Sequence, residues 1–156
     1  MNYLRQNLKC LSQGSRLEFI REFRHVKKEF VADYLNLGGS DPVATIRKYE
    51  NDERGQRDDR IRDLANLYEV SYNAIKPYDF KDPVDQVYIL MWMEEQFPFY
   101  NVTFEENRYS NTIYNLNVQE GIKEWKEMRE KYYNKEITYN DYIEWKLHFE
   151  IKNKIK

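Results

Sequence analysis

Residues 31–51 read VADYLNLGGSDPVATIRKYEN, and the way this stretch folds decides the architecture of the first half of the chain. Phe30, Val31, Tyr34 and Leu35 recur at helical spacing, so the sequence predicts a helix over 27–35 with those four as its apolar face. Asn36-Leu37-Gly38-Gly39 stops it, because paired glycines favour turns. Ser40 or Asp41 then caps a second helix with Pro42 near its first position, where a missing N–H costs nothing. Val43, Ile46 and Tyr49 give that helix its apolar stripe, and it stops near Asn51-Asp52.

Working outward, Ser15 with Glu18 three residues later has the spacing of a capping box, and Leu17, Ile20 and Phe23-Arg24 continue a helix from it. Tyr3, Leu4, Leu8 and Leu11 suggest a short lead-in helix over 3–11, in a lead-in segment over 1–14 that closes with Gln13-Gly14. Downstream, Ile61, Leu64 and Leu67-Tyr68 predict a helix over 57–68, and a short one follows from Ser71 through Ile75. Five short helices, two of them joined by a glycine turn, have the organisation of a helix-turn-helix module over residues 15–78.

Particular residues carry a more specific likeness. Arg21 stands ten residues before Val31-Ala32, Thr45-Ile46-Arg47-Lys48-Tyr49-Glu50-Asn51 follows, and then Ile61, Leu64, Ala65, Tyr68, Val70 and Ser71. In these spacings residues 15–76 resemble the Xre/Cro-like helix-turn-helix family. The resemblance implies an ion pair between Arg21 and Glu50 and a third helix laid in the major groove of double-stranded DNA. By position it implies Val43, Ala44, Arg47 and Lys48 as base-facing residues. Arg47 or Lys48 would donate to guanine O6/N7, and Val43 or Ala44 would touch a thymine methyl. Lys27 and Lys28 at the start of the second helix, and Arg54 and Arg57 before the fourth, are the implied phosphate contacts. The sequence departs from the family in the four extra residues Gly38-Gly39-Ser40-Asp41 of the turn. Its residues 15–76 also balance twelve Lys/Arg against twelve Asp/Glu, so a monomer releases few counterions and a dimer on a palindromic operator is expected.

Lys76-Pro77-Tyr78-Asp79-Phe80-Lys81-Asp82-Pro83 marks a boundary, since two prolines in eight residues do not continue a helix. Beyond it, Val87, Tyr88, Ile89, Leu90, Met91, Trp92 and Met93 make a helix apolar nearly all round, which predicts burial. Residues 99–104 alternate as a strand does, 105–108 form a polar turn, and 112–116 supply the returning strand. Val118, Ile122, Trp125, Met128 and Tyr132 form one further helical stripe. Thr138, with Asp141 three residues on, caps a last helix carrying Tyr142, Ile143, Trp145, Leu147 and Phe149. The expected fold is therefore mainly α: a five-helix module, then a small α+β domain over 79–156 of helix, β-hairpin and two helices. The segment from Glu124-Trp125 to Trp145-Lys146 also resembles the short helical hairpins called SHOCT-like, which are associated with oligomerisation.

Composition excludes several classes. Of 156 residues 41% are apolar, 33% are charged, and only five are glycine and four proline, so a packed core is affordable. The longest apolar run, Val87–Met93, is too short to span a bilayer, and the first ten residues lack the apolar stretch of a signal peptide. Cys10 is the only cysteine, so no intrachain disulfide or cysteine-held zinc forms. His25 and His148 read as surface or satisfied core, and no glycine-rich phosphate loop or metal-ligand spacing occurs. The acidic residues read as solvated helix faces with no paired-carboxylate site. The expectation is a cytoplasmic, cofactor-free, non-enzymatic regulator of a bacterial phage or mobile element, dimeric through its C-terminal domain. The rival is a protein-binding inhibitor, such as an anti-nuclease or anti-CRISPR protein. It would keep the helices as scaffold and bind its partner through residues 79–156, which carry eleven Lys/Arg and fifteen Asp/Glu.

Overall fold

The computed structural model describes residues 12–96 and 116–151. The chain divides into two compact units, Met1–Pro77 and Tyr78–Lys156. Among the described residues there are eight helices and no strand. The expected lead-in helix over 3–11 and the expected strand over 99–104 lie outside the described residues. So does the returning strand over 112–116, except for Leu116, which opens a helix.

In the first unit α1 spans Gln13–Phe23, α2 Lys28–Tyr34, α3 Pro42–Glu50, α4 Asp58–Tyr68 and α5 Tyr72–Ile75. The first helix starts a turn earlier than the Ser15–Glu18 spacing predicts. Ser12 is its N-cap, with a side chain that accepts from the Ser15 N–H, and Gly14 lies inside the helix. The physical reason is close approach. A Cβ on Gly14 would sit 2.4 Å from the Glu50 carbonyl oxygen, so only glycine lets the start of α1 press on the end of α3. The Gly14 N–H also donates to Asp52 Oδ1 at 2.8 Å.

Leu17, Ile20, Val31, Ala32, Leu35, Ile46, Ile61, Leu64 and Tyr68 form the core of this unit. Phe30 and Tyr34, expected in the apolar face of the second helix, are instead 57% and 46% exposed. Their i,i+4 spacing marks one stripe, but Val31, Ala32 and Leu35 take the side turned to the core. Between α2 and α3 the chain runs through Asn36 (φ 49°) and Gly39 (φ 109°), and Asp41 caps α3 by accepting from the Ala44 N–H at 3.0 Å. This is an open loop, as Gly38-Gly39-Ser40-Asp41 requires.

In the second unit α6 spans Pro83–Gln96, α7 Leu116–Tyr133 and α8 Tyr139–Leu147. Val84, Val87, Tyr88, Met91 and Trp92 of α6 are buried, while Ile89, Leu90 and Met93 are partly exposed. The α6–α7 contact is close at Gly121, where a Cβ would fall 2.8 Å from Val87 Cγ2. Thr138 and Asp141 form the capping box at the start of α8. Phe149, expected on that helix, lies past its end at His148, yet it is buried and packs edge-on against Tyr88 at 5.7 Å.

Helices in both units end on non-glycine residues in the left-handed region: His25, Asn36, Asp52, Glu69 and Lys135. In each case the next N–H reaches back to a carbonyl five residues earlier, as Val26 does to Arg21 and Glu136 to Lys131.

Candidate nucleic-acid interface

Arg21 and Glu50 are brought together in the interior of the first unit. Arg21 Nε donates to Glu50 Oε1 at 2.6 Å and Nη2 to Oε2 at 3.2 Å, a two-pronged pair. The remaining guanidinium nitrogen donates to the Val26 carbonyl at 3.2 Å. Burial opposes the Arg21 charge, but the hydrogen bond and field of Glu50 outweigh it, so its pKa is raised. The buried Tyr68 hydroxyl is pushed up as well, by desolvation first and by the Glu50 charge second. The pair fixes the C-terminal turn of α3 against α1.

That anchorage orients α3. Ile46, Tyr49 and Glu50 face inward, while Arg47 and Lys48 are exposed and Val43 and Ala44 are partly exposed. At 100° per residue Val43, Ala44, Arg47 and Lys48 share one outward face, as i,i+4 neighbours must. Arg47 lies 3.6 Å from Asp41, the residue that caps the same helix.

The four implied phosphate contacts divide. Lys27, the N-cap position of α2, and Arg54 are exposed. Arg57 is exposed and pairs with Asp59 at 3.3 Å. Lys28 turns inward: its Nζ lies 2.9 Å from Glu50 Oε2, and its side chain is 29% exposed. Sequence spacing put Lys28 beside Lys27 at a helix start. Glu50 Oε2, buried and already accepting from Arg21 at 3.2 Å, has a second lone pair that gives Lys28 a better partner than solvent.

A half-open basin of about 490 Å³ flanks this face. It is lined by Thr45 and Tyr49 of α3, by Arg54, Arg57 and Arg60, and by Leu37 from the α2–α3 loop. Gly38 and Gly55 contribute backbone, and no carboxylate is among its lining residues. Arg60 is held in place by donating to the Leu35 carbonyl at 2.7 Å, with Asp63 at 3.7 Å. Sequence reading missed Arg60 and Thr45, because the basin joins three segments that no periodicity links.

The second unit contains a cluster that sequence reading also missed. Glu94 and Glu95, expected on a solvated face, have side chains only 13% and 9% exposed. Arg129 Nε lies 2.9 Å from Glu94, and Lys146 Nζ lies 2.5 Å from Glu94 and 2.6 Å from Glu95. Tyr142 accepts from Trp125 Nε1 at 2.7 Å and donates to Glu94 at 2.9 Å, while Tyr139 donates to Glu95 at 2.7 Å. Burial first, then the neighbouring glutamates, pushes both tyrosine hydroxyls up. Two carboxylates facing two cations are charge-balanced, so the cluster ties α6, α7 and α8 together without calling for an ion. Among the described residues no group of three or more His, Cys, Asp and Glu could hold a metal.

His25 is exposed at the end of α1, and exposed His148 rests against the Glu144 carbonyl at 2.8 Å. Among the described residues no helix is long and apolar enough to cross a membrane. Comparison with known protein families, with curated proteins and with solved structures gave no match to this chain.

Proposed function

We propose that the chain is a sequence-specific DNA-binding regulator, acting by binding and without a cofactor, with the outward face of α3 in the major groove. The observation that carries this reading is the buried Arg21–Glu50 pair beneath an α3 whose Arg47 and Lys48 face solvent. A helix presented to a groove must hold its reading side chains to a fraction of an ångström, and a two-pronged buried pair supplies that fixity. Arg54, Arg57 and Lys27 flank it as phosphate contacts, while Lys28 leaves that set because Glu50 takes it. With so few free cations per protomer, binding as a homodimer through the C-terminal unit, to a palindromic site in the cytoplasm of a bacterium carrying a phage or mobile element, is the fitting arrangement.

The test is selection of bound fragments from a random duplex pool by the full chain, followed by a salt titration. The expected result is a palindromic motif, with discrimination falling by about 1–3 kcal/mol when Arg47 is changed to Ala. Arg54→Ala should weaken all sequences alike and lower the salt slope by about one. A pool that shows no enrichment sinks the reading.

One observation favours a second reading. Phe30 and Tyr34 on α2, and Tyr133 and Tyr139 in the other unit, are large aromatics at 44–60% exposure. Exposed aromatics suit a protein partner, and a protein-binding inhibitor that keeps the N-terminal helices as scaffold would use those of the C-terminal unit.

A further inference from the structure

The basin beside α3 is larger than a contact with DNA backbone needs. A phosphodiester on a duplex is a convex ridge that meets arginine tips at the rim. It does not fill a concavity of about 490 Å³, a size within the range of small-molecule sites. The lining is also divided in character. Arg54, Arg57 and Arg60 bring three guanidinium groups and Thr45 a hydroxyl, while Leu37 brings an apolar side chain and Tyr49 a small exposed part of its surface. Tyr49 is only 6% exposed, so its ring is a fixed wall. Arg60 is pinned by the Leu35 carbonyl at 2.7 Å and needs little ordering to bind.

Asp59 and Asp63 pair with Arg57 and Arg60, and neither is among the lining residues. Each of these two guanidinium groups has five donors and spends only part of them on its partners, so both can still turn donors to an anion. Arg54 is exposed at the mouth. The backbone at Gly38 and Gly55 carries no side chain into the space, which keeps it open.

We propose that this basin binds a phosphorylated small molecule of about mononucleotide size. The phosphate sits among Arg54, Arg57 and Arg60, and the organic part lies against Leu37 and Tyr49. Arg54 and Arg57 are also the phosphate contacts of the DNA reading. On that reading, and only on it, an occupied basin lowers the affinity for DNA, which makes the molecule an effector.

The experiment is calorimetric titration of the full chain, without DNA, by the four ribonucleoside monophosphates, three sugar phosphates, adenosine and inorganic phosphate. At least one phosphorylated compound is expected to bind, with both adenosine and inorganic phosphate on the order of tenfold weaker than it. The doubly substituted Arg54→Ala, Arg57→Ala chain should lose about tenfold for that compound, with thermal unfolding unchanged because both residues are exposed. Thr45→Trp, which fills the basin from α3, should abolish binding. If Thr45→Trp lowers the unfolding temperature, Gly55→Trp, at another lining position, replaces it, since a Cβ there meets open space. Failure of every probe to bind at millimolar concentration overturns the proposal. So does inorganic phosphate binding as well as the best organic phosphate, for that is anion pairing without a site. Binding together with no enriched DNA sequence leaves the basin standing and removes only its link to DNA.

Discussion

The two units of this chain each bury charge, and they do so with opposite bookkeeping. In the N-terminal unit one carboxylate, Glu50, sits between two cations, Arg21 and Lys28. In the C-terminal unit two carboxylates, Glu94 and Glu95, face Arg129 and Lys146. The first cluster reaches the surface, where Arg21 also meets the exposed Glu22 at 3.5 Å, at the root of the helix offered to solvent; the second is neutral and closes on itself with the hydroxyls of Tyr139 and Tyr142. A charge that holds a presented helix in place and a charge that holds a bundle shut are thus distinguished by how many buried carboxylates each contains, one against two.

The difference can be broken most strongly at Glu50. Glu50→Ala leaves the buried Arg21 with only the exposed Glu22, at 3.5 Å, as a carboxylate partner, which should cost about 3–5 kcal/mol and unfold the first unit while leaving the second folded. Urea denaturation followed separately in each unit checks this: Trp92, Trp125 and Trp145, the only tryptophans, report the second unit, and hydrogen exchange of α1 amides reports the first. A single shared transition would erase the comparison.

Lys146→Met should destabilise the second unit, by about 3 kcal/mol, because Glu94 keeps Arg129 while Glu95 loses its cation. Adding Glu95→Gln should recover part of that loss. A double substitution as unstable as the single one would show that Lys146 matters for its packing over the Tyr142 ring at 4.3 Å and not for its charge.

Gly14→Ala tests the close contact that aligns α1 with α3. The added methyl meets backbone at 2.4 Å, so about 1–3 kcal/mol should be lost from the first unit only.

Alkaline titration sharpens the contrast further. Tyr68, Tyr139 and Tyr142 hold their protons above the ordinary tyrosine value of 10.0, so their contribution is complete below that pH. It is lost as pH rises, because the unfolded chain ionises first. Tyr142→Phe should flatten the alkaline loss of the second unit alone, and Tyr68→Phe that of the first, as read by unfolding midpoints between pH 9 and about 11.

The smallest effect belongs to helix ends. Lys135→Gly in the second unit and Glu69→Gly in the first should each raise stability by about 0.5–1 kcal/mol, since both residues hold φ near +60° or +50°. Thermal unfolding of the two variants checks it, and a loss in either would mean that the side chain contributes more than its backbone strain costs.

How much of this was legible in the sequence differs between the units as well. The helices announced themselves because apolar spacing, the Asp41-Pro42 start and the Thr138–Asp141 box are local signals. Arg21 and Glu50 were legible only through a resemblance, as nothing local links residues 29 positions apart. Glu94, Glu95, Arg129 and Lys146 carried no mark at all: they come from three helices up to 52 residues apart, and each one alone looks like a solvated charge. Spacing gave Phe30 and Tyr34 a common stripe without saying which stripe the core would cover. The pairing of Lys28 with Glu50 went unread for the same reason, because its partner arrives from α3.

Arg16 adds a consequence in time. It is 1% exposed, and its guanidinium donates to the carbonyls of Ala74 at 2.8 Å and Lys76 at 3.0 Å, the last turn of the unit. The first helix is therefore fastened to the last, 58 to 60 positions later. On the ribosome, where domains fold as they emerge, the nascent chain has its first helix and no carbonyls to fasten it to until Lys76 has cleared the exit. Assembly of the N-terminal unit is then an event tied to one moment of translation, and a pause some tens of codons later, with Lys76 outside and the following residues still in the tunnel, would give it time to close before the aromatic second half appears.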